Sequence, residues 1–212
     1  MNETRTVQLS SRDEGEELQR AELYGLLARL WLAPPDAALL EQFAVAVTEA
    51  PQPGAYLEAP WQALVAALRA SSVAQATDEY EALFHATGKP EVFLYGSAHL
   101  AGALNEQPLV ALRSDLEALH LTRDPAAVAS GQTEDHVAFL FEVMRYLIAG
   151  DDPAQCHLES QRRFFRVHVQ PWVGTALADA VEQHPRARLY AALAAFTRAF
   201  VEVETQGFDM IE

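Results

Sequence analysis

Apolar residues return at intervals of three and four along nearly every stretch of this chain, and proline or glycine breaks the pattern at short distances. That is the spacing of helix faces meeting a core. Leu18, Leu23, Leu26, Leu27, Leu30 and Trp31 mark one face of a first helix, which Pro34-Pro35 stops by removing backbone donors and fixing φ. A second helix is expected from Asp36 to about Ala50, ended by a turn from Pro51 to Gly54. Trp61, Leu64, Val65 and Leu68 form the next stripe, and Tyr80, Leu83 and Phe84 the one after.

From Thr87 to Leu94 the pattern breaks, because Gly88 and Pro90 both oppose a continuing helix, and a loop with exposed aromatic content is expected there. Helices follow from about Ser97 to Leu104 and from Pro108 to Leu119, then an irregular stretch from Thr122 to Gln132. Val137, Leu140, Phe141, Met144, Leu147 and Ile148 define the clearest helix of the second half, which ends at Gly150. Asp152-Pro153 opens a further helix; Pro171 interrupts or kinks it before Trp172 to Gln183 resumes. A last helix starts near Arg186 and buries Leu189, Leu193, Phe196 and Phe200. No long period-two alternation and no repeat of about 34 residues interrupts this reading. The chain is therefore expected to be all-α: a disordered N-terminus over residues 1–12 and one multihelical globular domain over 13–212.

At 212 residues the chain can bury a hydrophobic core without staples. Cys156 is its one cysteine, so neither an intrachain disulfide nor a thiolate metal cluster within one chain can form. Met1 to Glu17 lack the apolar run of a secretory signal, and no stretch reaches the roughly 18 apolar residues of a membrane span. A cytoplasmic location without membrane insertion is the expectation. Thirty acidic against fifteen basic residues give a net charge of -15, which repels nucleic acid and favours cationic ligands, although such a surface also serves solubility.

Three short motifs stand out. Tyr80-x-x-Leu83-Phe84 runs across a turn into Leu94-Tyr95-Gly96-Ser97; Glu134-Asp135-His136 follows; Phe165-x-x-His168-x-x-Pro171-Trp172 comes last. With Thr133 as N-cap, Glu134 and Asp135 would lie in a helix's first turn, where exposed amides stabilise carboxylates, and capping alone would explain them. Against that, His136 beside Asp135 places a titratable group at the mouth of an irregular loop. Leu83 and Phe84 read as core, Gly96-Ser97 as a helix start, and Phe165, His168, Pro171 and Trp172 as packing and bending residues. No nucleophile elbow, phosphate-binding glycine loop or zinc-binding histidine pair is present, so no catalytic residue, metal or cofactor is assigned.

In order and spacing these motifs resemble the TorD/DmsD family of cytoplasmic chaperones, over about Leu18 to Met210. The family's Glu-Pro-x-Asp-His motif is matched by Gln132, Thr133, Glu134, Asp135 and His136, with the first two positions changed. Leu94 replaces a proline common before the aromatic matched by Tyr95. The resemblance implies an all-helical chaperone that binds rather than catalyses. Its client would be an immature molybdopterin-dependent oxidoreductase of the dimethyl sulfoxide reductase group, a formate dehydrogenase being one example, together with that enzyme's twin-arginine leader. Export would be delayed until cofactor insertion, with a homodimer left open. By the same resemblance Leu83, Phe84, Tyr95, Gly96, Ser97, Glu134, Asp135 and His136 would contact the client, while Phe165, His168, Pro171 and Trp172 form a structural signature. Phe84, Val92, Phe93, Leu94 and Tyr95 would supply apolar walls, and acidic side chains at the rim would meet the arginines. The alternatives are a helical enzyme with a metal or cofactor in its core, and an interaction module with no export role.

Overall fold

A computed structural model describes residues 11–45, 56–85, 89–123 and 132–210. The expected disorder before residue 11, the turn from Pro51 to Gly54 and most of the stretch from Thr122 to Gln132 lie outside them. Among the described residues ten α-helices follow in order: α1 (Ser11–Leu32), α2 (Ala37–Val45), α3 (Glu58–Ala70), α4 (Val73–Phe84), α5 (Gly96–Ala101), α6 (Gln107–Ala118), α7 (Val137–Ala149), α8 (Leu158–Phe164), α9 (Ala178–Glu182) and α10 (Leu189–Asp209). Two π-helical stretches, Phe165–Val169 and Val173–Leu177, flank a turn at Gln170 to Trp172. Among the described residues there is no strand, only an isolated antiparallel bridge between Tyr95 and His136. The fold is all-α, as expected.

The bend at Pro171 lies where expected, because proline cannot donate to the helical ladder. The chain absorbs it by widening to i→i+5 turns on both sides. Other boundaries differ from expectation for local reasons. The helix assigned to begin at Asp152-Pro153 starts at Leu158, since Asp152 accepts the Ala154 N–H in a turn and His157 accepts that of Ser160 as N-cap. The last helix starts at Leu189 instead of Arg186. Glu79 on α4 accepts the N–H groups of Arg188, Leu189 and Tyr190 and so fixes its first turn from outside.

α1 and α10 run antiparallel through the centre. Trp31 Nε1 donates to Thr197, Tyr24 packs edge-on to Phe200, and Arg20 pairs with Glu204. α7 lies antiparallel to α1 on another side, with Tyr24 against Phe141 and Gln161 linking Arg20 to the Leu147 carbonyl. One hydrophobic cluster extends from Tyr24 to Phe208. Within it, Trp31, Tyr80, Phe84 and Tyr190 pack ring on ring with centroids 5.0 to 6.2 Å apart.

The buried charge between α1 and α10 is fully engaged. Arg20 donates to Glu204, Gln161 and Glu17, and the Tyr24 hydroxyl donates to Glu204 at 2.7 Å. A carboxylate enclosed by a guanidinium and a phenol avoids the penalty of an unpaired buried charge.

Candidate functional site

The three sequence motifs meet at one junction. Leu94 accepts the Val137 N–H and Asp135 accepts the Gly96 N–H, both at 2.9 Å, so the two segments lie side by side through backbone bonds. The Asp135 carboxylate then accepts the Ser97 N–H at 2.8 Å, the Ser97 hydroxyl at 2.5 Å and the Thr133 hydroxyl at 2.6 Å. Trp172 closes the junction from the third motif. Its indole lies over Gly96, where a Cβ would come within 3.2 Å of Nε1, and His99 stacks on it at 5.1 Å. The indole donates to the His168 carbonyl at 2.8 Å.

The expected capping arrangement needs correction. His136, not Thr133, is the N-cap of α7, and its Nδ1 accepts the Ala138 N–H at 3.2 Å. Asp135 stands outside α7 and instead serves the first turn of α5, because the backbone pairing turns its carboxylate toward Ser97. Glu134 is half-buried and pairs with Arg113 at 2.9 Å.

Asp135 and His136 are neighbours in sequence but line different cavities. Asp135 borders a small one of about 220 Å³, together with Gly96, His168 and Trp172. His136 borders a separate groove of about 1010 Å³. Burial and the nearby Arg123 cation push the His136 imidazole down to about 4, so it is neutral near pH 7.

The groove runs along α1 and α7. Leu18, Leu26 and Leu32 form one wall and Phe139 and Ala149 the other, while Phe43 of α2 and Trp61 of α3 close one end. Leu18 and Leu32 are 56% and 48% exposed. The apolar residues of α1 thus cover two faces: Tyr24, Leu27 and Trp31 enter the core, and Leu18, Leu26 and Leu32 face the groove.

Several residues expected to contact a client lie elsewhere. Leu83 and Phe84 are buried in the core, as their apolar spacing alone predicts. Val92 and Leu94 are buried too, so the loop before α5 points its alternate side chains inward and its expected exposed aromatic content is limited to half-buried Phe93 and Tyr95. Gly96 and Ser97 are buried in the junction, and Tyr95 packs edge-on against His136 at 5.1 Å. Of the late motif, Phe165 packs on Phe208 of α10 and His168 lies 2.8 Å from Asp115, consistent with packing roles.

The sequence places Trp61 in an apolar stripe and does not single out Arg123. Both line the groove, and both carry a buried donor, Trp61 Nε1 and Arg123 Nε, with no hydrogen-bond partner among the described residues. Arg123 otherwise donates to the backbone and side-chain oxygens of Gln132 and lies over the Phe139 ring at 5.5 Å. No such unmet donor is visible in sequence. The second apolar face of α1 is: six marked residues spread over a wider arc than one neighbour can cover.

Among the described residues, no three His, Cys, Asp or Glu side chains are grouped to hold a metal ion, and no helix is long and apolar enough to cross a membrane. The nitrate reductase delta subunit family model matches residues 51–178. A search among curated proteins found no match. The match takes in all three motifs.

Proposed function

From its membership of the nitrate reductase delta subunit family, a family of molybdoenzyme maturation chaperones of the TorD/DmsD type, we propose that this chain is a cytoplasmic chaperone for one such enzyme. Residues 13–212 act as a single chaperone domain. It holds the twin-arginine leader and the apo-form of a molybdopterin-dependent oxidoreductase of the dimethyl sulfoxide reductase group, and it delays export until the cofactor is inserted. The chain binds its client and catalyses no reaction on it.

The groove between α1 and α7 carries the reading. Its volume of about 1010 Å³ is at the upper end for small-molecule sites, and its apolar walls suit one face of an amphipathic segment. His136 meets that segment directly at one end. Asp135 contributes by position: holding Ser97 and the turn at Thr133, it sets the backbone from which His136 projects. Leu83 and Phe84 then act by supporting α4 in the core.

Calorimetric titration of the protein with a synthetic twin-arginine leader tests the proposal. Saturable binding near one peptide per chain, abolished when the apolar segment is replaced by serine and glycine, is expected. Equal binding of the replaced peptide would reject the groove as the leader site.

A further inference from the structure

We propose that the groove takes its occupant in one orientation, with the carbonyl end of an apolar helix at Trp61 and Arg123 and its basic end beside Glu22. The inference rests on the leader reading above and adds a direction to it. Leu18 and Leu32 bound the α1 wall fourteen residues apart, about 21 Å of helix. The two ends differ chemically.

At the Leu32 end, Trp61 and Arg123 each hold a buried N–H with no acceptor among the described residues. Neutral His136 adjoins them, and Arg123 has no carboxylate partner among the described residues. Buried donors are left unmet at a cost of about 1–3 kcal/mol each, which an incoming acceptor would relieve once these side chains turn to meet it. The last four carbonyls of a helix lack internal partners, and that end carries partial negative charge. They match this end in both respects.

At the Leu18 end the balance reverses. Glu22 is exposed and has no ion-pair partner among the described residues, and Glu17 precedes the wall while Asp151 and Asp152 follow Ala149. Arg20 and Arg145 are each already paired with carboxylates. A helix N-terminus preceded by two arginines is positive and complements this end. Reversed, the arginines would face Arg123 and both orphan donors would stay unmet.

The three tryptophans provide the test. Trp31 and Trp172 donate to Thr197 and to the His168 carbonyl, so Trp61 alone has an unmet indole N–H. In a nitrogen-15 spectrum, with Trp61→Phe assigning the resonance, two peptides are compared: adjacent arginines followed by about 14 apolar helix-forming residues, with a nitroxide at either terminus. The C-terminal label is expected to broaden the Trp61 indole signal beyond detection while the N-terminal label leaves it sharp. The unlabelled peptide should slow that proton's exchange with solvent. Broadening by the N-terminal label overturns the orientation. Broadening by neither label, where calorimetry reports binding, puts the occupant elsewhere and overturns it too, with leader binding still standing. Absence of any binding heat rejects the leader reading itself, and the orientation with it.

Discussion

Asp135 accepts two hydrogen bonds from Ser97, one from its backbone N–H and one from its hydroxyl, across 38 residues of sequence. A motif that reads as the start of its own helix thereby secures the start of another. With Thr133 on its second oxygen, the buried carboxylate is engaged on both oxygens within the junction. Its neighbour His136 reaches the groove instead.

Asp135→Ala should therefore cost more than loss of a surface cap. It leaves the buried Ser97 N–H without an acceptor, and a loss of about 2 to 4 kcal/mol is expected from one unmet donor plus two lost charge-assisted bonds. Urea denaturation of the variant beside the parent measures it. A cost under about 0.5 kcal/mol would contradict the junction's role.

Acid should destabilise the fold through His136. Its ordinary value is near 6.5 and the folded state lowers it to about 4, so the unfolded chain binds the proton more readily between those values. The stabilisation is complete above about pH 6.5 and is lost as pH falls to about 4, amounting to about 3 kcal/mol. Half-buried His99 and buried His168 are shifted in the same direction and add to the loss. His136→Asn keeps an N-cap acceptor and removes the titration, so its stability should fall less steeply across this window in urea melts at stepped pH. An unchanged slope would assign the effect to other groups.

Phe139→Ala and Leu83→Ala separate wall from core. Phe139 is half-buried in the groove, and its loss should weaken leader binding about tenfold with little change in melting temperature. Leu83 is fully buried, and truncation there should cost about 2–5 kcal/mol while affinity per folded molecule is unchanged. Calorimetry paired with thermal melts would expose the opposite pattern.

Gly96→Ala tests the contact with Trp172. The added methyl would sit 3.2 Å from the indole nitrogen, against a ring held by His99 on one face and by its bond to the His168 carbonyl. Overpacking of about 1–3 kcal/mol is expected. A thermal melt at or above the parent's would mean that the indole moves freely.

Helix type was legible because Leu64, Leu68, Phe141 and Met144 follow a strict helical spacing that only one kind of core contact satisfies. Helix starts were less so. Those at Leu158 and Leu189 depend on where His157 and Glu79 direct acceptors, and the second belongs to a distant segment. The motifs were visible as motifs, yet their meeting was not: Gly96 and Trp172 come together only through tertiary packing. The expected groove walls Phe84, Val92 and Leu94 are buried in the core instead; such residues are apolar in sequence whichever way they point. The wall of the α1–α7 groove lies in α1, whose marked leucines read as a single face in sequence although their arc is wide enough for two.

α1 carries an assembly schedule for the protein. Its core face, with Tyr24 and Trp31, is completed by Phe200 and Thr197, and Arg20 waits for a partner 184 residues later. During synthesis, which proceeds from the N-terminus, this helix exists for most of the elapsed time with both apolar faces uncovered. The groove has no firm wall until α10 emerges and locks α1 from behind. A nascent chain short of that helix lacks the partners that complete the core face of α1, and the proposed client groove would be unsupported until they arrive.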